Sequence, residues 1–245
     1  MNRKGANMEY LHIAIDGPSA SGKSTLARNI SRALRIAYID TGALYRAVAL
    51  AILREGVDCN DRASVVSCLS NAEILVAYEG DVQQTFLSGE NVSEAIRQHE
   101  VSETASIVSS YPEVRDHLIG LQRGIAATRS CILDGRDIGT VVLPEAQIKF
   151  FLAASVEERA RRRYAELMAR GQLLSFDTVL HDIRLRDERD RTRAVAPLRP
   201  AEDSILLDTT ELTAEQSAQR ALAHVDRHLS LLGFSLGGAD DDHGS

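Results

Sequence analysis

The chain's 245 residues suffice for one α/β domain with insertions, and its 44% hydrophobic content is that of an ordinary globular core, without any run near the roughly 18 apolar residues of a membrane-crossing helix. A net charge of −7 argues against the broad basic footprint of a nucleic-acid binder, and 4% aromatic residues without tryptophan leave little for stacking single-stranded bases. Membrane and nucleic acid are set aside as partners.

The N-terminal stretch MNRKGANMEYLHIAID is weakly basic but has no apolar signal region with a small-residue cleavage site. Residues 11–16 read as a buried strand, followed by a glycine-containing turn and an amphipathic helix over about 24–34. A short strand at 37–39 and a helix at 43–54 follow. From about residue 57 to 110 the pattern changes: alternating stretches at 73–78 and 82–87, joined by Glu79-Gly80-Asp81, read as a hairpin that interrupts the strand–helix alternation. This segment is expected to form a small inserted subdomain. Residues 112–128 read as a helix with Pro112 in its first turn, 131–134 and 148–153 as buried strands, and 156–170 as a helix. Residues 176–193 form another helix, stopped before Pro197. A last strand at 204–208 and a helix at 214–232 close the fold, and the polar tail 233–245 is expected to be disordered. Cys59, Cys68 and Cys131 are odd in number and never spaced CxxC, which favours reduced thiols in the cytoplasm over a disulfide framework or a zinc site.

Alternating strands and helices predict a mostly parallel sheet with helices on both faces, binding ligands beyond the carboxyl ends of its strands. Gly17-Pro18-Ser19-Ala20-Ser21-Gly22-Lys23-Ser24 matches the P-loop pattern GxxxxGK[ST] between a predicted strand and helix. Main-chain amides of such a loop face phosphate oxygens, the helix N-terminus adds partial positive charge, Lys23 reaches the β- and γ-phosphates, and the Ser24 hydroxyl is suited to Mg²⁺. No NKxD guanine reader is present, and the strand ending at Asp134 runs into Gly135-Arg136-Asp137, not the Asp-Glu pair frequent in ATP-driven machines.

Arginines stand where a second phosphorylated ligand would sit. Asp40-Thr41-Gly42-Ala43-Leu44-Tyr45-Arg46 ends a strand and opens a helix. Thr41 suits a plain N-cap, but Arg46 opposes the macrodipole at about a few tenths of a kcal/mol unless an anion is near. Arg136 and Asp137 lie between glycines at a strand's carboxyl end, as a surface ion pair or as part of a ligand site. On the helix 176–193 the apolar stripe Phe176, Val179, Leu180, Ile183 continues as Arg186, Asp190, Arg193, the pattern of a helix leaving the core to line a polar cleft. The alternative is a set of surface pairs, Asp182–Arg186 and Arg186–Asp190. Arg159, Arg162 and Arg163 share a helix face and are candidates for a lid over about 156–172 that neutralises charge on a transferring phosphoryl group; a solvated basic face is the rival.

Together GPSASGKST (Gly17–Thr25), DTGALYR (Asp40–Arg46), GRDIGT (Gly135–Thr140) and RDERDRTRAVAP (Arg186–Pro197) resemble bacterial-type cytidylate kinases, in order and over residues 11–232. The inserted segment resembles the enlarged monophosphate-binding domain of that family, which short eukaryotic UMP/CMP kinases lack. The resemblance implies transfer of the γ-phosphoryl group of ATP to CMP or dCMP with Mg²⁺, by a P-loop core of residues 11–56 and 111–232. It implies ATP contacts from Gly17, Pro18, Ser19, Ala20, Ser21, Gly22, Lys23, Ser24 and Thr25. Ser106, Arg115 and Asp137 fall where the family reads cytosine, Thr41, Arg46 and Arg136 around the CMP phosphate, and Arg186, Asp190 and Arg193 around the nucleoside. Thr41 replaces a serine frequent among relatives, and some relatives carry Lys-Gly at Lys23-Ser24. The expected state is a monomer. The alternatives are a kinase for another nucleoside monophosphate and, from a different class, a regulatory P-loop ATPase that would hydrolyse ATP without an acceptor.

Overall fold

The computed structural model describes residues 10–80 and 82–231; the tail 233–245 and Asp81 of the hairpin turn lie outside the described residues. In chain order the elements are β1 (His12–Asp16), α1 (Lys23–Leu34), β2 (Ala37–Asp40), α2 (Thr41–Arg54), α3 (Arg62–Leu69), β3 (Ile74–Glu79), β4 (Val82–Leu87), β5 (Glu90–Asn91), α4 (His99–Val108), α5 (Pro112–Ala126), β6 (Cys131–Gly135), β7 (Ile148–Ala153), α6 (Val156–Ala169), α7 (Phe176–Thr192), β8 (Ile205–Asp208) and α8 (Ala214–Leu231). Single helical turns cover Ala95–Arg97 and Ile138–Val142.

The main sheet has the order β2-β6-β1-β7-β8 and is parallel throughout. Its central strands are apolar over most of their length because helices cover both faces. Ile13, Ile15, Phe150 and Leu152 pack under Leu26 and Ile30 of α1 and Ala221 and Val225 of α8. On the other face Ala14, Ile39 and Leu133 meet Ala126 of α5 and Val142. Asp40 lies opposite Asp134, and Asp16 opposite Gly135, so the strands end level within about one residue. In open parallel sheets, ligands bind beyond such an edge.

The predicted hairpin is present, β3 against β4 with Ile74 opposite Leu87, and the two-residue β5 extends it. Helices α3 and α4, in contrast, were not expected. In α3 the apolar residues do not gather into one stripe. In α4 the buried face includes Thr104 and Ser106 beside Val101, Ala105 and Val108, which masks its period. The segment packs its apolar side chains on Ala47, Val48 and Ala51 of α2 and on Val114 and Leu118 of α5, forming one continuous core with them. Gln83 of β4 ties the hairpin to β2, accepting from the Asp40 amide at 2.8 Å and donating back to its carbonyl at 3.3 Å.

Helix α2 begins at Thr41, two residues before the expected start, and its N-cap is Asp40, whose carboxylate accepts from the Ala43 amide at 2.9 Å. Thr41 is therefore not the cap; its hydroxyl donates to the Asp134 carbonyl at 2.6 Å and ties α2 to β6. A β-carbon at Gly135 would stand 2.7 Å from Ile138 and 3.0 Å from that hydroxyl, so only glycine fits there.

At the end of β1, Asp16 accepts from the amides of Ile138 and Gly139, each at 2.8 Å, and fixes the turn that carries Arg136 and Asp137. Burial pushes its pKa up to about 6, against the pull of those amides. Because this lies above the ordinary 3.8, the stability it contributes is full below about pH 4 and is lost as pH rises through about 6. The wild type should lose up to about 3 kcal/mol relative to Asp16→Asn between pH 4 and pH 7. Urea unfolding of both proteins across that range measures it; parallel pH profiles would refute the assignment.

Candidate active site

Between β1 and α1 the chain folds as the sequence predicts a phosphate cradle to fold. Gly17 has φ +148°, and a β-carbon there would stand 2.4 Å from the Leu152 carbonyl oxygen; Gly22 has φ +94° and occupies the N-cap of α1. That helix start has no side-chain cap and no acidic residue in its first turn, whereas α2, α6 and α7 are capped by Asp40, Ser155 and Ser175. Its amides and partial positive charge are left for an anion. Lys23 is buried and folds back to donate to the Pro18 carbonyl at 2.6 Å. Burial, then the charges of Arg136 and Arg186, lower its pKa to about 7. Ser24 donates to Asp134 at 2.8 Å, and Tyr38 donates to the other carboxylate oxygen at 3.1 Å. Burial and then the charge of Asp40 raise the Asp134 pKa.

The loop opens into a cavity of about 740 Å³ that reaches α2, α4, α5, the turn after β6, α6 and α7. Eleven lysine or arginine side chains line it against six carboxylates, a local excess of positive charge in a chain of net charge −7. The pairing leaves donors unspent. Arg46 gives one nitrogen to Asp40 at 2.9 Å, and its Nε has no partner; Arg97 reaches the same carboxylate oxygen at 3.3 Å. Burial opposes the ionisation of Asp40, but these two arginines outweigh it and lower its pKa. Arg136 donates to Asp190 at 2.7 Å. Arg186 has no carboxylate within ion-pair distance among the described residues, its Nε is buried without a partner, and burial with the nearby charge of Arg136 lowers its pKa to about 9. Arg115 pairs with Asp137, and Arg193 approaches the other oxygen of Asp137 at 3.6 Å.

An uncapped helix start thus shares one cavity with Arg186, a guanidinium that has no carboxylate partner among the described residues. A match to the cytidylate kinase family model covers residues 13–227. The chain belongs to the cytidylate kinase family. It is 48% identical to a cytidylate kinase of Caldanaerobacter subterraneus subsp. tengcongensis over 85% of this chain and 91% of that protein. To a cytidylate kinase of Halalkalibacterium halodurans it is 45% identical, over 89% of this chain and 98% of that protein. A solved structure of an uncharacterized protein from Eubacterium ventriosum aligns with 89% of this chain and 99% of its own, at TM-score 0.50 and 12% identity, a likeness of fold alone.

Most residues that the resemblance to cytidylate kinases singles out line this one cavity: Ser19, Ala20, Gly22, Lys23, Ser24, Thr25, Thr41, Arg46, Arg115, Arg136, Asp137, Arg162, Arg163, Arg186, Asp190 and Arg193. Gly17, Pro18 and Ser21 shape the loop from behind, through the close approach to Leu152, the contact with Lys23, and a Ser21 carbonyl that accepts from Thr209 at 3.0 Å. The surface pairs considered on α7 do not form: Asp182 lies 3.6 Å from His99, and Asp190 takes Arg136.

Two expectations are corrected. Arg159 does not reach the cavity; it is 1% exposed, with both terminal nitrogens on Asp187 at 2.9 and 2.5 Å, its Nε on the Ala154 carbonyl at 3.0 Å, and a contact of 3.3 Å to the Ser19 carbonyl. It is a positioning residue that joins α6, α7 and the P-loop. Ser106 is turned towards α7, where it accepts from Arg189 at 3.3 Å; the α4 residues lining the cavity are Ser102, Ala105 and Ser109. Sequence reasoning missed Arg28, Tyr45, Arg97, Gln122 and Arg170, all at the cavity wall. Tyr45 stood inside a quoted motif, and the α5 period Arg115, Leu118, Gln122 carried a usable signal.

Arg159→Met should destabilise the protein by about 3–5 kcal/mol, because Asp187 stays buried without its cation. Arg159→Met/Asp187→Leu should recover most of that in denaturant unfolding. A fall in kcat at unchanged stability would instead return Arg159 to the catalytic set.

Proposed function

We propose that the P-loop holds ATP while the arginine-lined half of the same cavity holds CMP or dCMP, and that the γ-phosphoryl group passes directly between them to give ADP and CDP or dCDP. The observation that carries this reading is Arg186: a half-buried guanidinium with an unpartnered, buried Nε and no carboxylate partner among the described residues, sharing one cavity with an uncapped P-loop helix. An anion between the two relieves both.

The acceptor's phosphate oxygen is already anionic, so no side chain has to remove a proton. The work left to the protein is alignment and neutralisation of charge on the transferring group. Lys23, now folded onto Pro18, turns towards the β- and γ-phosphates, whose charge raises its lowered pKa and keeps it cationic. Thr41, Arg46 and Arg136 hold the acceptor phosphate, Arg115 and Asp137 the base, and Arg186, Asp190 and Arg193 the nucleoside. Arg162 and Arg163 on α6 close over the triphosphate and exclude water, which would otherwise take the phosphoryl group.

The donor set at the loop's mouth fits Mg²⁺: the Ser24 hydroxyl and the Asp134 carboxylate are hard oxygen groups 2.8 Å apart. Held by Ser24 and Asp134, the ion would offset the negative charge of the phosphates. We take the enzyme to work as a monomer on free nucleotides in the cytoplasm. Among the described residues no helix is long and apolar enough to cross a membrane. The thiols suit a structural role, since burial pushes Cys131 up to about 12 and Cys68 up to about 11.

ADP formation from ATP with CMP, dCMP, UMP, AMP and GMP tests the reading: CMP and dCMP should lead, and hydrolysis without an acceptor should be slow. A preferred purine acceptor, or brisk acceptor-free hydrolysis, would overturn it. Arg186→Met should lower kcat/KM for CMP by about ten- to 150-fold, the loss of one charged contact of about 1.5–3 kcal/mol. Its Tm should hold or rise, because a half-buried charge without a partner is removed. Unchanged kinetics would remove Arg186 from the site.

A further inference from the structure

Gln122 stands on α5 two turns after Arg115 and on the same buried face. It is 1% exposed, it lines the cavity, and neither its amide nitrogen nor its amide oxygen has a hydrogen-bond partner. A primary carboxamide brings two donors and an acceptor, and burying all of them unpaired is among the costlier things a core can do. Its surroundings place it in the cavity. The neighbouring Tyr45 hydroxyl, whose pKa burial raises, stands near Arg115, Asp137 and Arg193 and close to the Gln122 amide, but the two make no hydrogen bond of normal geometry, so the amide stays unpaired. Lys23, by contrast, is surrounded by Arg136 and Arg186. The cavity therefore has an end furnished with cations for phosphate and an end where a neutral amide and a phenol stand beside the Arg115–Asp137 pair.

Phosphate offers acceptors only and has no use for an amide oxygen. A pyrimidine edge alternates donors and acceptors, which is what a carboxamide complements. A ribose hydroxyl also offers both, but the groups beside Gln122 are the pair that the proposed function assigns to the base. We infer that Gln122 is a base-reading residue for the acceptor nucleotide, its carboxamide hydrogen-bonding the pyrimidine ring. This rests on the acceptor site proposed above and adds to it a residue on α5 that supplies donor and acceptor together. The amide can turn end for end, so it contributes to pyrimidine binding while the charged Arg115–Asp137 pair separates cytosine from uracil.

Gln122→Met keeps the side chain's length and volume and removes its polar atoms. The variant should raise KM for CMP by about ten-fold or more, and KM for dCMP by the same factor, with KM for ATP and kcat little changed. Its Tm without nucleotide should hold or rise, because unpaired polar atoms leave the interior. KM for CMP within two-fold of wild type would overturn the inference. So would a drop in Tm with equal damage to CMP and ATP kinetics, which is the mark of a structural role, or unequal effects on CMP and dCMP, which would place the amide on the sugar. Wild-type protein inactive towards CMP would instead defeat the acceptor site itself, so the two failures are distinguishable.

Discussion

Strands β2, β6 and β1 end level, and that register brings Asp40, Asp134 and Asp16 to one edge beside the P-loop. Each carboxylate is already committed. Asp16 holds two amides of the turn after β6, Asp40 caps α2 and takes Arg46 and Arg97, and Asp134 receives Ser24 and Tyr38. Asp16 and Asp134 are thereby spent on backbone and hydroxyl groups, and Asp40 is shared between its cap and two arginines, so none of the three is left for Arg186. Positive charge stays uncompensated where a carboxylate would have been easy to supply.

Holding such charge has a cost, visible in Lys23 and Arg186, whose cationic forms are disfavoured by burial and then by the charge of Arg136 beside both. A protein built for stability alone would pair or delete these groups, since breaking or omitting one partner of a buried pair is expensive. The same chain pairs Arg159 with Asp187 in full, so its arginines are not unpaired for lack of acids nearby. The contrast between one satisfied guanidinium and one bare guanidinium on neighbouring helices separates scaffold from site.

The fold was largely legible because its signals are local. Buried parallel strands read as apolar runs, the P-loop carries its own turn chemistry, and the hairpin showed its period of two. What failed depends on contacts distant in sequence. Arg159, Arg162 and Arg163 look alike on one helix face, yet only the first is paired with an α7 carboxylate, Asp187, 28 residues away. Ser106 was placed by resemblance, and the packing of α4 on α7 turns its hydroxyl to Arg189. Thr41 lost the cap to Asp40 because two adjacent residues were both competent and the register to β6 chose between them. Gln122 escaped notice because one glutamine in an amphipathic helix reads as a solvated position until its phase with Arg115 and Leu118 is counted.

The Arg159–Asp187 pair also bears on how the two halves of the cavity are coordinated. Arg162 and Arg163 of α6 and Arg186, Asp190 and Arg193 of α7 and its end line the same cavity. The two helices share the apolar contacts of Ala160, Leu167, Val179 and Ile183, and the buried ion pair reaches the Ser19 carbonyl within the P-loop. A buried, bidentate pair resists being pulled apart, because separating it strands two charges away from water. Helices α6 and α7 are therefore held to one another and to the P-loop through that pair. The same contacts therefore set the positions of the cavity-lining side chains on both helices relative to the P-loop.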